Sequence, residues 1–116
     1  MKALGKHIIL ELWGCDGDTL DSQEVVERAL REATEKCGAT LLQIITHKFS
    51  PQGVSGVAVI AESHISIHTW PELGYAALDI FTCGDADPYQ GIPVFKKYFK
   101  ASKANIVEIK RGVNFE

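Results

Sequence analysis

Thr40-Leu-Leu-Gln-Ile-Ile-Thr-His-Lys-Phe49, Val54-Ser-Gly-Val-Ala-Val-Ile-Ala61, Ile65-Ser-Ile-His-Thr-Trp70 and Tyr75-Ala-Ala-Leu-Asp-Ile-Phe-Thr82 are four successive runs rich in β-formers. They are parted by Ser50-Pro51-Gln52-Gly53, by Glu62-Ser63-His64 and by a turn from Pro71 to Gly74. Runs of this length and composition read as strands, and Ile65 and Ile67 alternate with Ser66 and His68 at the period of a half-buried one. Connections this short leave no room for crossover helices, so the strands pair mostly antiparallel.

Upstream, His7 to Leu12 is a further short apolar run, ending in the turn-forming cluster of Gly14, Cys15, Asp16, Gly17 and Asp18. Asp21 with Glu24 forms a capping box. Val25, Val26, Ala29, Leu30, Ala33 and Cys37 then recur at helical spacing until Gly38 closes the element. Downstream, Asp87-Pro88 opens a second helical segment that buries Phe95, Tyr98 and Phe99. Pro93 delays its regular part to about Ile92. Asn105 to Lys110 is a last strand. The order β-α-β-β-β-β-α-β predicts an α+β two-layer sandwich, a mostly antiparallel sheet with two helices on one face. The other sheet face then needs a cover, and dimerisation into a larger sandwich supplies one.

The 116 residues suit a single domain spanning 1–116, and no internal repeat or linker divides them. A hydrophobic share of 46% with 23% charged residues is that of a globular chain. No apolar stretch approaches a membrane span, and no secretory segment opens the sequence, so the expectation is a cytoplasmic protein without a membrane partner. A net charge of −3 with scattered Lys and Arg gives no footprint for nucleic acid. Cys15, Cys37 and Cys83 are an odd number without a CxxC pair, which argues against a disulfide framework or a zinc ribbon.

Reactive side chains are densest from Glu62 to Glu72, with Thr82-Cys83-Gly84 close behind. A serine beside a histidine is common by chance, and no GxSxG elbow is present. His64 and His68 would aim at one ion on a helix. On a strand they share a face but stand ~13 Å apart, so no metal is expected.

As a whole the string resembles the processing site of the small prokaryotic S-adenosylmethionine decarboxylases. The resemblance rests on Leu-Gly-Lys-His at 4–7, Gly-Val-Ser-Gly-Val at 53–57, Glu-Ser-His-Ile-Ser-Ile-His-Thr-Trp-Pro-Glu at 62–72 and Tyr-Ala-Ala-Leu-Asp-Ile-Phe-Thr-Cys-Gly at 75–84. Gly91 and Pro93 depart mildly from the family pattern. The resemblance implies a zymogen that cuts itself between Glu62 and Ser63 into a beta chain, 1–62, and an alpha chain, 63–116. Ser63 then becomes a pyruvoyl cofactor that forms a Schiff base with S-adenosylmethionine, and the decarboxylated product supplies the aminopropyl group for spermidine and polyamine synthesis.

By the same resemblance His68 moves protons during processing, Ser55 stabilises the developing oxyanion, and Cys83 returns a proton to the substrate. Phe49 stacks on adenine and Glu72 holds the ribose hydroxyls. It also implies a homodimer in which Ser63 and Cys83 of one protomer face Phe49, Ser55, His68 and Glu72 of the other. Taken singly, His68 reads as a half-buried strand residue, Phe49 as a core aromatic, Glu72 as a solvated turn residue and Trp70 as a packing residue. Two alternatives stay open: the same self-processing apparatus acting on arginine or ornithine, and an unprocessed binding module.

Overall fold

The structure, a computed structural model, describes residues 3–114. Six strands form one sheet in the order β2-β3-β4-β5-β1-β6, and every neighbouring pair is antiparallel. The strands are β1 (Gly5–Trp13), β2 (Thr40–Lys48), β3 (Val54–Ala61), β4 (Ser63–Trp70), β5 (Tyr75–Cys83) and β6 (Lys103–Arg111). Two helices, α2 (Gln23–Cys37) and α3 (Ile92–Phe99), pack on one face of the sheet together with the single-turn helix α1 (Gly17–Leu20). The two-layer α+β arrangement is the one expected.

Alternation along the strands builds the core. Ile8, Leu10 and Leu12 of β1, Ala58 and Ile60 of β3, Ile65 and Ile67 of β4, and Leu78 and Ile80 of β5 all point toward the helices and are buried. They meet Val26, Ala29, Leu30 and Ala33 of α2 and Phe95 and Phe99 of α3. Each Leu, Ile or Phe taken fully from water contributes about 1.5–3 kcal/mol. Tyr98, expected among the buried aromatics, packs only at the core's margin and donates its hydroxyl to Glu32.

Three local details differ from the sequence expectation. The cap of α2 is Ser22, whose hydroxyl accepts from Val25 N, whereas Asp21 accepts from Gly53 N at 2.8 Å and pairs with Lys48 at 3.0 Å. Glu24 reaches forward to Arg28 instead of back to a cap. The cluster expected as a plain turn becomes α1, because the Asp16 carboxylate accepts from Thr19 N and gives that turn its own cap. Gly38 ends α2 in the left-handed conformation at φ 79°, where a β-carbon is unfavourable. Pro93 falls in the first turn of α3, where its missing N–H has no intrahelical partner to lose.

The third difference bears on chemistry. Strand β4 begins at Ser63, two residues before Ile65, and pairs Ser63 with Ile60 on one side and Thr82 on the other. The β3–β4 connection is therefore Glu62 alone. Ser63 has a φ of 109°, in a region that residues with a β-carbon seldom occupy.

The sheet face away from the helices carries Ile9, Ile45, Val59, Val107 and Ile109 among polar residues, and four of these five are exposed large apolar side chains. No helix of the described residues is long and apolar enough to cross a membrane.

Candidate active site

Register arithmetic puts the reactive residues at the two ends of β4. At its start, Ser63 pairs with Thr82, next to Cys83, and Cys83 in turn pairs with Gly5 of β1. The packing here is close: a β-carbon on Gly5 would stand 2.6 Å from the Thr82 carbonyl oxygen and 2.9 Å from Cys83 Sγ. Only glycine fits. Thr82 is buried and its hydroxyl donates to the Ala86 carbonyl at 3.3 Å, which folds the Cys83-Gly84 turn back on itself. Cys83 is a half-buried free thiol; near it Ser63 is half-buried and Glu62 exposed. A cavity of about 420 Å³, lined by Leu4, Gly5, Lys6, Thr82, Gly84 and Lys110 among others, opens at this end.

At the other end, Ser55 of β3 pairs with His68 of β4, and Ser55 Oγ lies 2.7 Å from His68 Nδ1. A hydroxyl and an imidazole sharing one hydrogen bond can pass a proton or stabilise an oxyanion. Beside them a cavity of about 330 Å³ is lined by Phe49, Gln52, Ser55, His68, Trp70 and Glu72. Its walls are suited to a planar heterocycle with hydroxyl groups: Phe49 is 45% exposed, so it is no core aromatic, and Glu72 extends from the Pro71–Leu73 turn. Trp70 both packs on Tyr75, ring centroids 5.1 Å apart, and lines this cavity.

Within one chain the two groups do not meet. Ser63 and His68 are five residues apart on one extended strand, a separation of ~16 Å. Phe49, Ser55, His68 and Glu72 come together at one end, and Ser63 with Cys83 at the other.

Between these ends lies a constellation that sequence reasoning missed. Asp79 Oδ2 accepts from His7 Nε2 at 2.6 Å and from His64 Nε2 at 2.7 Å, while Oδ1 accepts from Ser66. Burial pushes the Asp79 carboxyl up, but the hydrogen bonds from Ser66, His7 and His64 outweigh it and hold the group below the usual carboxylate range. Arg111 donates to His7 Nδ1 at 2.8 Å, and the His7 ring stacks on Phe81 with centroids 4.9 Å apart. One signal was available, since Asp79 is a lone charge inside an apolar strand and such a group needs partners. Nearer the Trp70 end, Trp13 stacks on Tyr75 with centroids 4.3 Å apart. The Tyr75 hydroxyl donates to Glu11, and burial together with that carboxylate pushes its pKa up to about 12.

The family model described as S-adenosylmethionine decarboxylase matches residues 6–112. The chain is 63% identical over 113 residues to an S-adenosylmethionine decarboxylase proenzyme of Methanococcus aeolicus, covering 97% of each chain. It is 54% identical over 114 residues to the proenzyme of that name from Caldicellulosiruptor saccharolyticus, covering 97% of this chain and 92% of that one. The crystal structure of the adenosylmethionine decarboxylase from Aquifex aeolicus superposes with a TM-score of 0.89 at 35% identity, over 97% of this chain and 94% of that one. A Trypanosoma brucei AdoMetDC structure shares the fold alone, with a TM-score of 0.66 at 16% identity over 89% of this chain and 45% of that one. A match to the family model from Lys6 to Gly112, joined to relatives more than half identical along nearly their full lengths, means that this chain belongs to the S-adenosylmethionine decarboxylase family.

Proposed function

We propose that the chain cuts itself between Glu62 and Ser63, turns Ser63 into a pyruvoyl group and decarboxylates S-adenosylmethionine for spermidine and polyamine synthesis. The observation that carries the reading is the division of the reactive residues between the two ends of one strand. A two-fold partner laid face to face across the middle of β4 brings the Ser63 end of one protomer over the His68 end of the other. The exposed apolar residues of the outward face favour such a cover, and the ~16 Å gap along β4 gives it a chemical purpose.

In the assembled site the Ser63 hydroxyl adds to the Glu62 carbonyl, the peptide C–N bond breaks, and the Ser63 nitrogen takes a proton. His68 of the partner subunit serves these proton transfers, and Ser55 of the partner subunit donates to the oxyanion. Loss of the Ser63 α-proton then expels the Glu62 carboxylate from Cβ. Addition of water and departure of ammonia complete the conversion.

Ser63 suits that fate, because it sits half-buried at the first position of β4, directly after the single-residue connection Glu62 and beside a thiol and a closed turn. When present, the pyruvoyl ketone condenses with an amine and draws electrons as carbon dioxide leaves. Cys83 returns a proton to the substrate α-carbon. Phe49 and Glu72 of the partner subunit hold the adenosyl end by stacking and by accepting from ribose hydroxyls.

The test is intact mass under denaturing conditions. Two fragments meeting at 62/63, the C-terminal one lighter by an ammonia than its serine form, support the reading, and Ser63→Ala leaves the chain whole. Borohydride trapping with S-adenosylmethionine, arginine and ornithine in separate tubes then assigns the substrate. An uncut wild-type chain of 12.7 kDa after long incubation overturns the self-processing step. Trapping with arginine or ornithine alone overturns the substrate.

A further inference from the structure

The polar hub at the centre of the outward face takes no part in the steps above. Its two imidazoles and carboxylate have donor atoms within 4.8 Å of one another, which is the composition of a metal site. The arrangement of protons favours a different role. Arg111 donates to His7 Nδ1, so that nitrogen offers a lone pair and the ring's own proton is on Nε2, directed at Asp79. A cation between these groups would have to displace that proton beside a guanidinium. The hub is instead a carboxylate satisfied by three hydrogen bonds.

One of those bonds leads directly to the scissile peptide. His64 follows Ser63, and its ring is fixed at Nε2 on Asp79 and packs edge-on to Phe81 at 5.8 Å between centroids. Ser63 holds its φ of 109° between the single-residue connection on one side and His64 on the other. A backbone in that region persists only where its surroundings over-determine it. The ladder partners Ile60 and Thr82 hold Ser63 by main-chain pairing, and the His64–Asp79 bond is the side-chain tether one residue away.

We infer that His64, anchored on Asp79, is a positioning residue for self-cleavage: it fixes the start of β4 so that the Ser63 hydroxyl meets the Glu62 carbonyl. The inference rests on the cleavage reading given above. His64 neither gains nor loses a proton in the step. Its ring is 39% exposed, so its removal takes little from the core, and what it contributes is orientation.

The experiment follows cleavage after a cell-free synthesis pulse, by mass, for wild type, His64→Leu, His64→Gln, Asp79→Ala and the His64→Leu/Asp79→Ala double variant. Circular dichroism and sizing report on folding. His64→Leu and Asp79→Ala are each expected to cleave at least ~10-fold more slowly, equivalent to ~1.4 kcal/mol of barrier. The double variant should be no slower than the slower single one, because both remove the same bond. His64→Gln should recover to within ~3-fold of wild type, since its amide nitrogen donates from about the position of Nε2.

Wild-type speed in His64→Leu, no recovery in His64→Gln, or multiplied delays in the double variant would each overturn the inference. Should His64→Leu fail to fold, His64→Gln and Asp79→Ala decide: a fast Gln variant with a slow Ala variant supports positioning, and any other pair of results removes it. A wild-type chain that never cleaves sinks the Glu62–Ser63 reading itself, whereas prompt cleavage in every variant sinks only the role of His64.

Discussion

Co-expression of Ser63→Ala with His68→Ala is the sharpest test of a site divided between two protomers. On the proposed reading each variant alone should form a dimer with both sites dead: one lacks the nucleophile, the other the imidazole. In a mixed dimer one site combines both defects, and the other joins the intact Ser63 of the His68→Ala chain to the intact His68 of the Ser63→Ala chain. Random pairing makes half the dimers mixed, so about one quarter of all sites are whole in a two-fold assembly. The structure sets the alternative as firmly, because the ~16 Å between Ser63 and His68 along β4 excludes direct proton transfer within one chain.

The two chains are given different affinity tags, expressed together and recovered by both tags in turn. Intact mass then counts cleaved His68→Ala chains. In the doubly tagged fraction nearly all of them should be cut, and none in either variant expressed alone. Doubly tagged dimers in which the His68→Ala chain stays whole would refute the shared site and require Ser63 and His68 to meet by rearrangement of β4.

Other outcomes follow from the same geometry. Cys83→Ala should cleave at the wild-type rate yet lose activity during turnover, as misdirected protonation leaves the substrate's nitrogen on the former pyruvoyl carbon; N-terminal sequencing that reads alanine at position 63 after exposure to substrate would show it. Phe49→Ala should raise KM about 10-fold with little change in kcat, because one stacking contact is worth about 1–3 kcal/mol; an unchanged KM would move adenine elsewhere. Asp79 has a folded pKa below its unfolded value, so its stabilisation is present above the usual carboxylate range and is lost as pH falls through the lower, folded value. Melting curves from pH 6 to 3 should therefore fall more steeply for wild type than for Asp79→Asn, and parallel curves would count against a charged hub.

The strands and the long helix are legible because their physics is local. Ile65 and Ile67 alternate with Ser66 and His68, and Val26, Ala29, Leu30 and Ala33 recur at helical spacing, so each run states which side is buried. Helix ends are less legible, since Asp21, Ser22 and Asp16 all have capping side chains and the choice among them depends on Gly53 and Lys48, far along the chain. The reactive residues stand out as a string, but periodicity alone does not say that Ser63 and His68 are kept apart. That follows from both lying on one strand, and the break at Ser63 conceals it by letting the strand seem to begin at Ile65. The Asp79 hub was the least legible part. Its partners come from β1, β4 and β6, and no spacing rule joins His7 to His64 before the sheet order is known.

Sheet order also decides what would become of the molecule after the proposed cut between Glu62 and Ser63. The fragment ending at Glu62 owns β1, β2 and β3, and the fragment starting at Ser63 owns β4, β5 and β6. Across the sheet these alternate, with β1 of the first fragment threaded between β5 and β6 of the second. Three seams of main-chain hydrogen bonds, β3 to β4, β5 to β1 and β1 to β6, therefore bind the two products together. Neither half retains a complete sheet or a complete core, so the proposed scission would create an obligate pair that cannot part without unfolding, and the new pyruvoyl end would stay where the old peptide bond held it.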